Sequence, residues 1–309
     1  VFGGLSSGTL VLSTGGGKVM GTEGNLTALL RMQASVIFGV PSYIYHLLRV
    51  AQEKKYQLDF VQKVVLGASS TSPAFKSRLE RLLKSMGAKN VSVFGTYGFT
   101  EARCAWAECP TRNNVSSGYH LYPDKEIFEV IDPKTGQVKK EGEDGELVYT
   151  SIDSRGSSVI RYRTGDFVKG GIQHKPCPHC HRTVPRISSQ ITRMSDIKLM
   201  QFSKIKGSLV NLNHFAETFS ELPEIHEWQV ELYKKDDDPF EVDQVRVYLS
   251  VDGKVNETEL TKRIKERLLV ATEVCPNEVK FISRNEMIER LELETANKDK
   301  RIVDHRPKG

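Results

Sequence analysis

The sequence runs to 309 residues, 39% hydrophobic and 27% charged, which is long enough to bury more than one core and ordinary for a water-soluble protein. A formal charge of +5, 44 basic against 39 acidic residues, with no long basic stripe, requires no nucleic-acid partner, although a basic cleft for an anionic nucleotide suits it. No apolar run reaches the ~18 residues of a membrane span, and no secretory leader is visible, with the stretch ahead of Val1 left open. Five cysteines, an odd number in a chain of this length, speak against a disulfide scaffold and for a reducing, cytoplasmic setting with room for one metal site.

In chain order, the first third alternates strand and helix signals. Val36-Ile37-Phe38 is an apolar run that stops at Gly39-Val40-Pro41-Ser42, and Tyr45, Leu48 and Ala51 follow at helical spacing. Val64-Val65-Leu66 stops at Gly67-Ala68-Ser69-Ser70. The next helix opens at Ser72-Pro73, closes at Gly87, and carries Phe75, Leu79, Leu82, Leu83 and Met86 on one face. Val91-Ser92-Val93-Phe94 then runs into Gly95-Thr96-Tyr97. Three strands, each followed by a Gly-containing loop, predict a parallel sheet that binds ligand at its carboxyl edge. From 119 to 192 the pattern changes to short strands at 126–131, 146–151 and 159–162, divided by the turn signals Asp132-Pro133-Lys134-Thr135-Gly136 and Glu143-Asp144-Gly145. This predicts an antiparallel β-subdomain. Strands at 228–233, 245–251 and 279–282, with a helix through Leu260, Ile264, Leu268 and Leu269, predict a small α+β domain beyond a junction at Arg193-Met194-Ser195-Asp196. The expected fold class is therefore α/β: a parallel sheet with helices plus an antiparallel β-subdomain (1–192, divided at 118/119), then an α+β unit (193–309).

Two stretches carry the chemistry. Gly95-Thr96-Tyr97-Gly98-Phe99-Thr100-Glu101 follows the third apolar run, and Arg161-Tyr162-Arg163-Thr164-Gly165-Asp166 follows the meander. In this order they resemble the nucleotide-site motifs of adenylate-forming enzymes, most nearly the phenylacetate–CoA ligase branch, and the resemblance covers most of the chain. It implies a carboxylic acid activated by ATP with Mg²⁺ and passed to a thiol, CoA in the simplest case, on a large adenylation domain with a mobile C-terminal lid. By resemblance, Glu101 holds Mg²⁺, Thr100 offers a hydroxyl to a phosphate, Tyr97 lies against the adenine with Gly98 beside it, and Asp166 accepts both ribose hydroxyls. Gly67-Ala68-Ser69 borders the adenine, Tyr43 in Val40-Pro41-Ser42-Tyr43 lines the acyl pocket, and Arg193 contacts phosphate or ribose. Lys298 is the adenylation lysine, with Asn297 where the family has glycine and Lys300 as its neighbouring alternative. The lid sequence around Ser195, Asp196 and 201–212 departs from the family, which leaves the acceptor open to a deazaflavin-type cofactor without CoA.

The family also carries a Ser/Thr/Gly-rich phosphate loop upstream, for which the chain has no room. Ser13-Thr14-Gly15-Gly16-Gly17-Lys18 lacks the Walker pattern and reads better as a surface turn. The chain is accordingly expected to be a fragment or to lack the first subdomain, and a noncatalytic, zinc-stabilised nucleotide-binding scaffold is the rival from another class. A homodimer is compatible with the sequence.

Cys177-Pro178-His179-Cys180 is an independent signal, a CxxC knuckle suited to structural Zn²⁺. Two thiolates need two more ligands. Cys109 and His120 are the best candidates, with Cys104 as the alternative to His120; His179 and His181 are too close to the knuckle. No thioredoxin-like βαβ surrounds the motif to make it a redox pair. Cys275 is expected to be a buried small hydrophobe.

Overall fold

The computed structural model describes residues 8–15, 17–69, 71–109, 111, 114–154, 158–194, 204–205, 208–209, 213–238, 241–251, 253, 255–295 and 299–306. Lys298, Ser195 and Asp196 lie outside these residues.

The first third is built on alternation. β1 (Val36–Gly39), β2 (Lys63–Leu66) and β3 (Ser92–Phe99) pair in parallel, with Ile37 opposite Val64 and Val64 opposite Val93. Those three side chains and Leu66 face inward, under helices α1 (Gly17–Met32), α2 (Pro41–Glu53) and α3 (Pro73–Ser85). Both α2 and α3 begin with proline, which needs no N–H partner there. At α3 the Ser72 hydroxyl also accepts the Phe75 N–H at 3.2 Å. Gly87, at φ 94°, ends that helix. The Gly-rich stretch at 13–18 meets the start of α1 at Gly17.

β3 does not stop at a glycine loop. It continues through the motif to Phe99 and turns back at Thr100–Ala102 into antiparallel β4 (Cys104–Ala107), which pairs Tyr97 with Trp106. Backbone hydrogen bonds to β4, on the edge of β3 away from β2, hold this stretch extended, so a segment expected to be loop is strand.

Among the described residues, two antiparallel sheets follow. One has the order β5 (Tyr119–His120), β10 (Arg186–Ile187), β9 (Ile172–Gln173). The other has the order β11 (Ile191–Arg193), β8 (Tyr162–Val168), β7 (Gly145–Ser151), β6 (Glu126–Ile131). The strand expected at 159–162 lies later, at Tyr162–Val168. Arg161 is left-handed at φ 48° and interrupts the chain before it, and pairing of Tyr149 with Tyr162 and Gly145 with Val168 sets its ends.

After the hairpin β12 (Lys204–Ile205) and β13 (Ser208–Leu209), the C-terminal unit has a sheet of order β16 (Glu278–Phe281), β15 (Asp243–Val251), β14 (Ile225–Lys234), β17 (Ile302–Asp304). Helices α4 (Asn213–Ser220) and α5 (Glu257–Thr272) bury Phe215, Phe219, Leu260, Ile264 and Leu268 against it. Helix α6 (Arg284–Leu291) brings Met287 and Leu291 onto Tyr248. The fold is thus the mixed α/β class that the sequence predicts, with α1, α4, α6, β4, β5, β9 to β13 and β17 added among the described residues. Cys275 is half-buried rather than buried. No helix among the described residues is long and apolar enough to cross a membrane.

This unit docks on the helices of the first third. Thr22 donates to Glu294 at 2.8 Å, Arg49 Nε donates to His226 Nε2 at 2.9 Å, and Arg78 donates to the Ile225 carbonyl. His226 is buried beside the Tyr45 ring. Burial, then the charges of Arg49 and Arg78, with His46 and Arg301 behind them, push it down to about 3. A histidine neutral when folded and protonated when unfolded loses stability as pH falls below its ordinary value of about 6.5. Between pH 7 and 5 this site is expected to cost about 2 kcal/mol. The difference in urea midpoint between the parent and His226→Gln, which keeps an acceptor for Arg49, should shift in favour of the variant as pH falls over that range. Parallel pH curves would remove the histidine from the account.

Candidate active site and metal centre

Aromatic packing joins the β3–β4 hairpin to the antiparallel sheet. Trp106 is fully buried and donates its indole N–H to Glu126. Phe128 meets it edge-on at 4.9 Å, and Phe99 meets Tyr149 edge-on at 5.2 Å. Such contacts have a preferred geometry as well as area, so the two motifs are held in one register.

That register places Asp166 between two donors. The Tyr97 hydroxyl donates to Oδ2 at 2.8 Å, and Arg193 Nη1, directly across the β8–β11 ladder, donates to Oδ1 at 3.0 Å. Arg193 also donates to the Thr164 carbonyl at 2.5 Å. Each carboxylate oxygen carries two lone pairs and can accept more than one hydrogen bond. Burial first, and then the Asp166 charge, push the Tyr97 phenol above its ordinary value, so it remains a donor. Its ring lies 5.7 Å from Trp106 and 5.9 Å from Tyr119.

Thr100 and Glu101 sit in the hairpin's 3-10 turn, closed by Arg103 at φ 52°. Glu101 is exposed, and its Oε1 accepts the Tyr162 hydroxyl at 2.6 Å. This bond is the first cause holding Glu101 below the usual carboxylate range. Tyr162, Thr164 and Asp166 lie along β8, whose register against β7 shifts between Arg163 and Phe167. Tyr162 is not marked as a site residue by the sequence pattern, in which it ends a strand at 159–162.

Gly67-Ala68-Ser69 follows β2, and Gly67 donates its N–H to the Gly39 carbonyl at 3.1 Å. A Cβ on Gly67 would lie 3.2 Å from the Thr96 hydroxyl and 3.3 Å from the Phe38 ring, which puts this loop beside the first motif. Ala68 is left-handed at φ 71°, a conformation an alanine holds only under constraint. Tyr43 does not join this group. Its hydroxyl accepts from Asn25 of α1 at 2.6 Å, and burial raises it. Lys300 pairs with Glu292 at 2.5 Å within the C-terminal unit.

The second constellation is Cys109, His120, Cys177 and Cys180, whose ligand atoms all lie within 4.8 Å of one another. Cys109 Sγ is 3.6 Å from Cys177 Sγ and 3.7 Å from His120 Nε2, and Cys180 Sγ is 3.4 Å from the same nitrogen. Tetrahedral zinc, with bonds of about 2.3 Å to sulfur and about 2.0 Å to nitrogen, sets its ligands roughly 3.5–3.8 Å apart, so these residues fit that ion. His120 Nδ1 faces the Ala107 carbonyl at 3.3 Å, which turns Nε2 toward the thiols. Cys104 is not in the cluster. Burial pushes Cys109 up to about 12. Burial also opposes ionisation of Cys177, but the Ser117 hydroxyl and the N–H groups of Cys180 and His179 bring it down to about 5. The knuckle spans β9 and β10, while Cys109 leaves β4 and His120 lies in β5.

The model of AMP-binding enzymes matches residues 1–156. The chain belongs to the AMP-binding enzyme family. It is 24% identical over 285 residues to a phenylacetate-coenzyme A ligase of Pseudomonas putida (88% of this chain, 60% of the relative). It is 25% identical over 318 residues to the Aromatoleum evansii enzyme of that name (99% and 65%). Among solved structures it is similar to a 2-hydroxyisobutyryl-CoA ligase in the postadenylation state, with TM-score 0.70 and 19% identity over 92% of this chain and 57% of that one. An anthranilate CoA ligase matches at TM-score 0.58 and 13% identity, over 89% and 51%. The chain therefore spans less than two thirds of the length of these curated relatives, and the structural likeness is one of fold.

Gly98 tests the hairpin. An added Cβ would lie 2.8 Å from the Cys104 carbonyl, a backbone atom that cannot swing away. Gly98→Ala is expected to cost about 1–3 kcal/mol of stability in urea unfolding, whereas Gly136→Ala, which meets no atom but sits at φ 72°, carries only backbone strain.

Proposed function

We propose that the chain takes part in adenylation of a carboxylic acid by ATP and in its transfer to a thiol, in the simplest case CoA. The observation that carries this reading is the carboxylate of Asp166 held between Tyr97 of the first motif and Arg193. Two segments that chemistry requires together are thereby joined.

In the first half-reaction, a substrate carboxylate oxygen attacks the α-phosphorus of ATP, the bond to the bridging oxygen breaks, and pyrophosphate leaves. Catalysis is mainly positioning and charge neutralisation. Asp166 would accept both ribose hydroxyls, and Arg193, already on Asp166, would extend to phosphate or ribose. Gly67, Ala68, Ser69, Tyr97 and Gly98 would line the adenine, Thr100 would donate to a phosphate oxygen, and Tyr43 would border the acyl group. Glu101, a hard oxygen donor exposed at the turn, would hold Mg²⁺, which screens phosphate charge. In the second half-reaction a thiolate attacks the acyl carbon and AMP leaves. Residues 1–192 form the adenylation body in this reading, and 193–309 are a lid that carries Lys298 to the α-phosphate and then turns away.

Cys109, His120, Cys177 and Cys180 would hold a structural Zn²⁺ that ties the hairpin to the β5-β10-β9 sheet, with no part in the chemical steps. Chelator-free protein should contain about one zinc per chain. Cys177→Ser should lower metal content and melting temperature together, because metal binding is coupled to folding. Metal-free protein of unchanged stability would exclude the site.

The decisive assay is ATP–pyrophosphate exchange over a panel of aromatic and aliphatic acids, using the whole protein as encoded in its gene. One class of acid should support exchange, and CoA should then release AMP. Turnover without CoA dependence would shift the acceptor to a non-thiol. Nucleotide binding with no exchange for any acid would favour the scaffold and overturn the enzyme reading. Asp166→Ala should weaken ATP binding by about 1.5–3 kcal/mol per charge-assisted bond lost, read by calorimetry. An unchanged titration would sink the ribose role.

A further inference from the structure

One buried ion pair lies outside both constellations. Lys76, in the first turns of α3, and Glu108, just past β4, are each 3% exposed at the side chain, and Lys76 Nζ lies 2.5 Å from Glu108 Oε2. The same oxygen accepts the backbone N–H of Gly95 at 2.5 Å. Glu108 in turn donates its own N–H to the Gly95 carbonyl at 3.1 Å.

In an antiparallel ladder, the two residues of a hydrogen-bonded pair exchange both backbone bonds. Here one of the two is replaced by a carboxylate. Gly95 is the last residue of β3 that pairs with β2, and it opens the motif that continues to Glu101. Glu108 is also where the chain leaves β3, because it forms an isolated antiparallel bridge with Tyr119, one residue before His120. It therefore holds β3 with its side chain while its backbone passes into the neighbouring sheet. Glycine at 95 is part of the device: an added Cβ would lie 3.0 Å from Oε2 and 3.4 Å from the carboxyl carbon.

We propose that Glu108, oriented by Lys76, is a positioning residue for the nucleotide motif, fixing the point from which β3 carries Tyr97, Thr100 and Glu101 to Asp166. The inference rests on the nucleotide reading above. Tyr97 is two residues, or roughly 7 Å of strand, beyond Gly95. A displacement at Gly95 therefore passes almost directly to the hydroxyl on Asp166, and errors of about 1 Å are enough to impair a preorganised site.

The test pairs two double variants, so that neither leaves a lone buried charge. Lys76→Met/Glu108→Gln keeps an acceptor for the Gly95 N–H, while Lys76→Met/Glu108→Leu removes it at similar volume. AMP affinity by calorimetry should stay within about threefold of the parent for the Gln form and fall about tenfold for the Leu form, the scale of one lost hydrogen bond. The Leu form should melt lower than the Gln form, because the buried Gly95 N–H loses its acceptor, so affinities are compared at a temperature where both are fully folded. A Leu form that binds AMP as the parent does, or a Gln form that loses as much as the Leu form, overturns the proposal. Amide exchange of Gly95 is read in parallel. It should be slow in the parent and the Gln form, like that of Val93, and faster in the Leu form. Solvent-like exchange at Gly95 in the parent overturns the proposal even if neither variant folds. A parent that does not bind AMP but shows the expected exchange pattern would instead overturn the nucleotide reading.

Discussion

β3 is paired with β2 only as far as Gly95, yet it runs on to Phe99. Backbone N–H and C=O groups of a strand need partners, and the way they are met here shapes the central part of the protein. The chain reverses at Thr100–Ala102, and β4 pairs with Thr96–Phe99 along the edge of β3 opposite β2. Because the extended strand is the motif, its side chains stand on a rigid element rather than in a loop. The aromatic side chains of the hairpin then need cover, and Phe128, Tyr149 and Tyr162 provide it. In this way the antiparallel sheet is drawn against the hairpin, and Asp166 comes within reach of Tyr97.

Buried charges mark the places where geometry has been chosen over simple apolar packing. Lys76 with Glu108, Tyr97 and Arg193 with Asp166, and Arg301 with Glu227 each take a carboxylate out of water. Desolvation offsets much of the attraction in such pairs, and an apolar pair of similar volume is often as stable. What charge adds is direction: a carboxylate accepts along defined lines, so Lys76–Glu108 ties α3 to the end of β4 and Arg193–Asp166 ties β11 to β8. The cysteine–histidine cluster has the same logic. Its closely spaced thiols repel one another once ionised, and a cation at their centre would turn that repulsion into the bond between two sheets.

The C-terminal unit is joined to the rest by a different kind of contact. Its ties to α1, α2 and α3 are polar and dispersed, from Thr22–Glu294 to Ser72–Ser220, with the neutral His226 among arginines near the centre. The apolar cores of the two parts remain separate clusters. A junction made this way can be weakened by protonation or rearranged without opening either core.

The sequence by itself determined the elements whose energetics are local. Ser72-Pro73 and Gly87 bound α3, apolar runs stopped by glycine marked β1 and β2, and the Cys177–Cys180 spacing, with Cys109 and His120 as the candidate partners, named the cluster that the fold assembles. The two motifs were legible as residues, but their state was not. Thr96, Tyr97 and Phe99 read as loop because glycine is a turn signal, and here Gly95 and Gly98 serve close approach instead. Only tertiary structure decided that Tyr162 reaches Glu101, that Arg193 faces Asp166, and that Lys76 meets Glu108, partners 61, 27 and 32 residues apart. A one-residue change of register would turn any of these strand side chains to the opposite face of its sheet. Their meeting depends on how strands pair across long loops, and local propensity holds no information about that pairing.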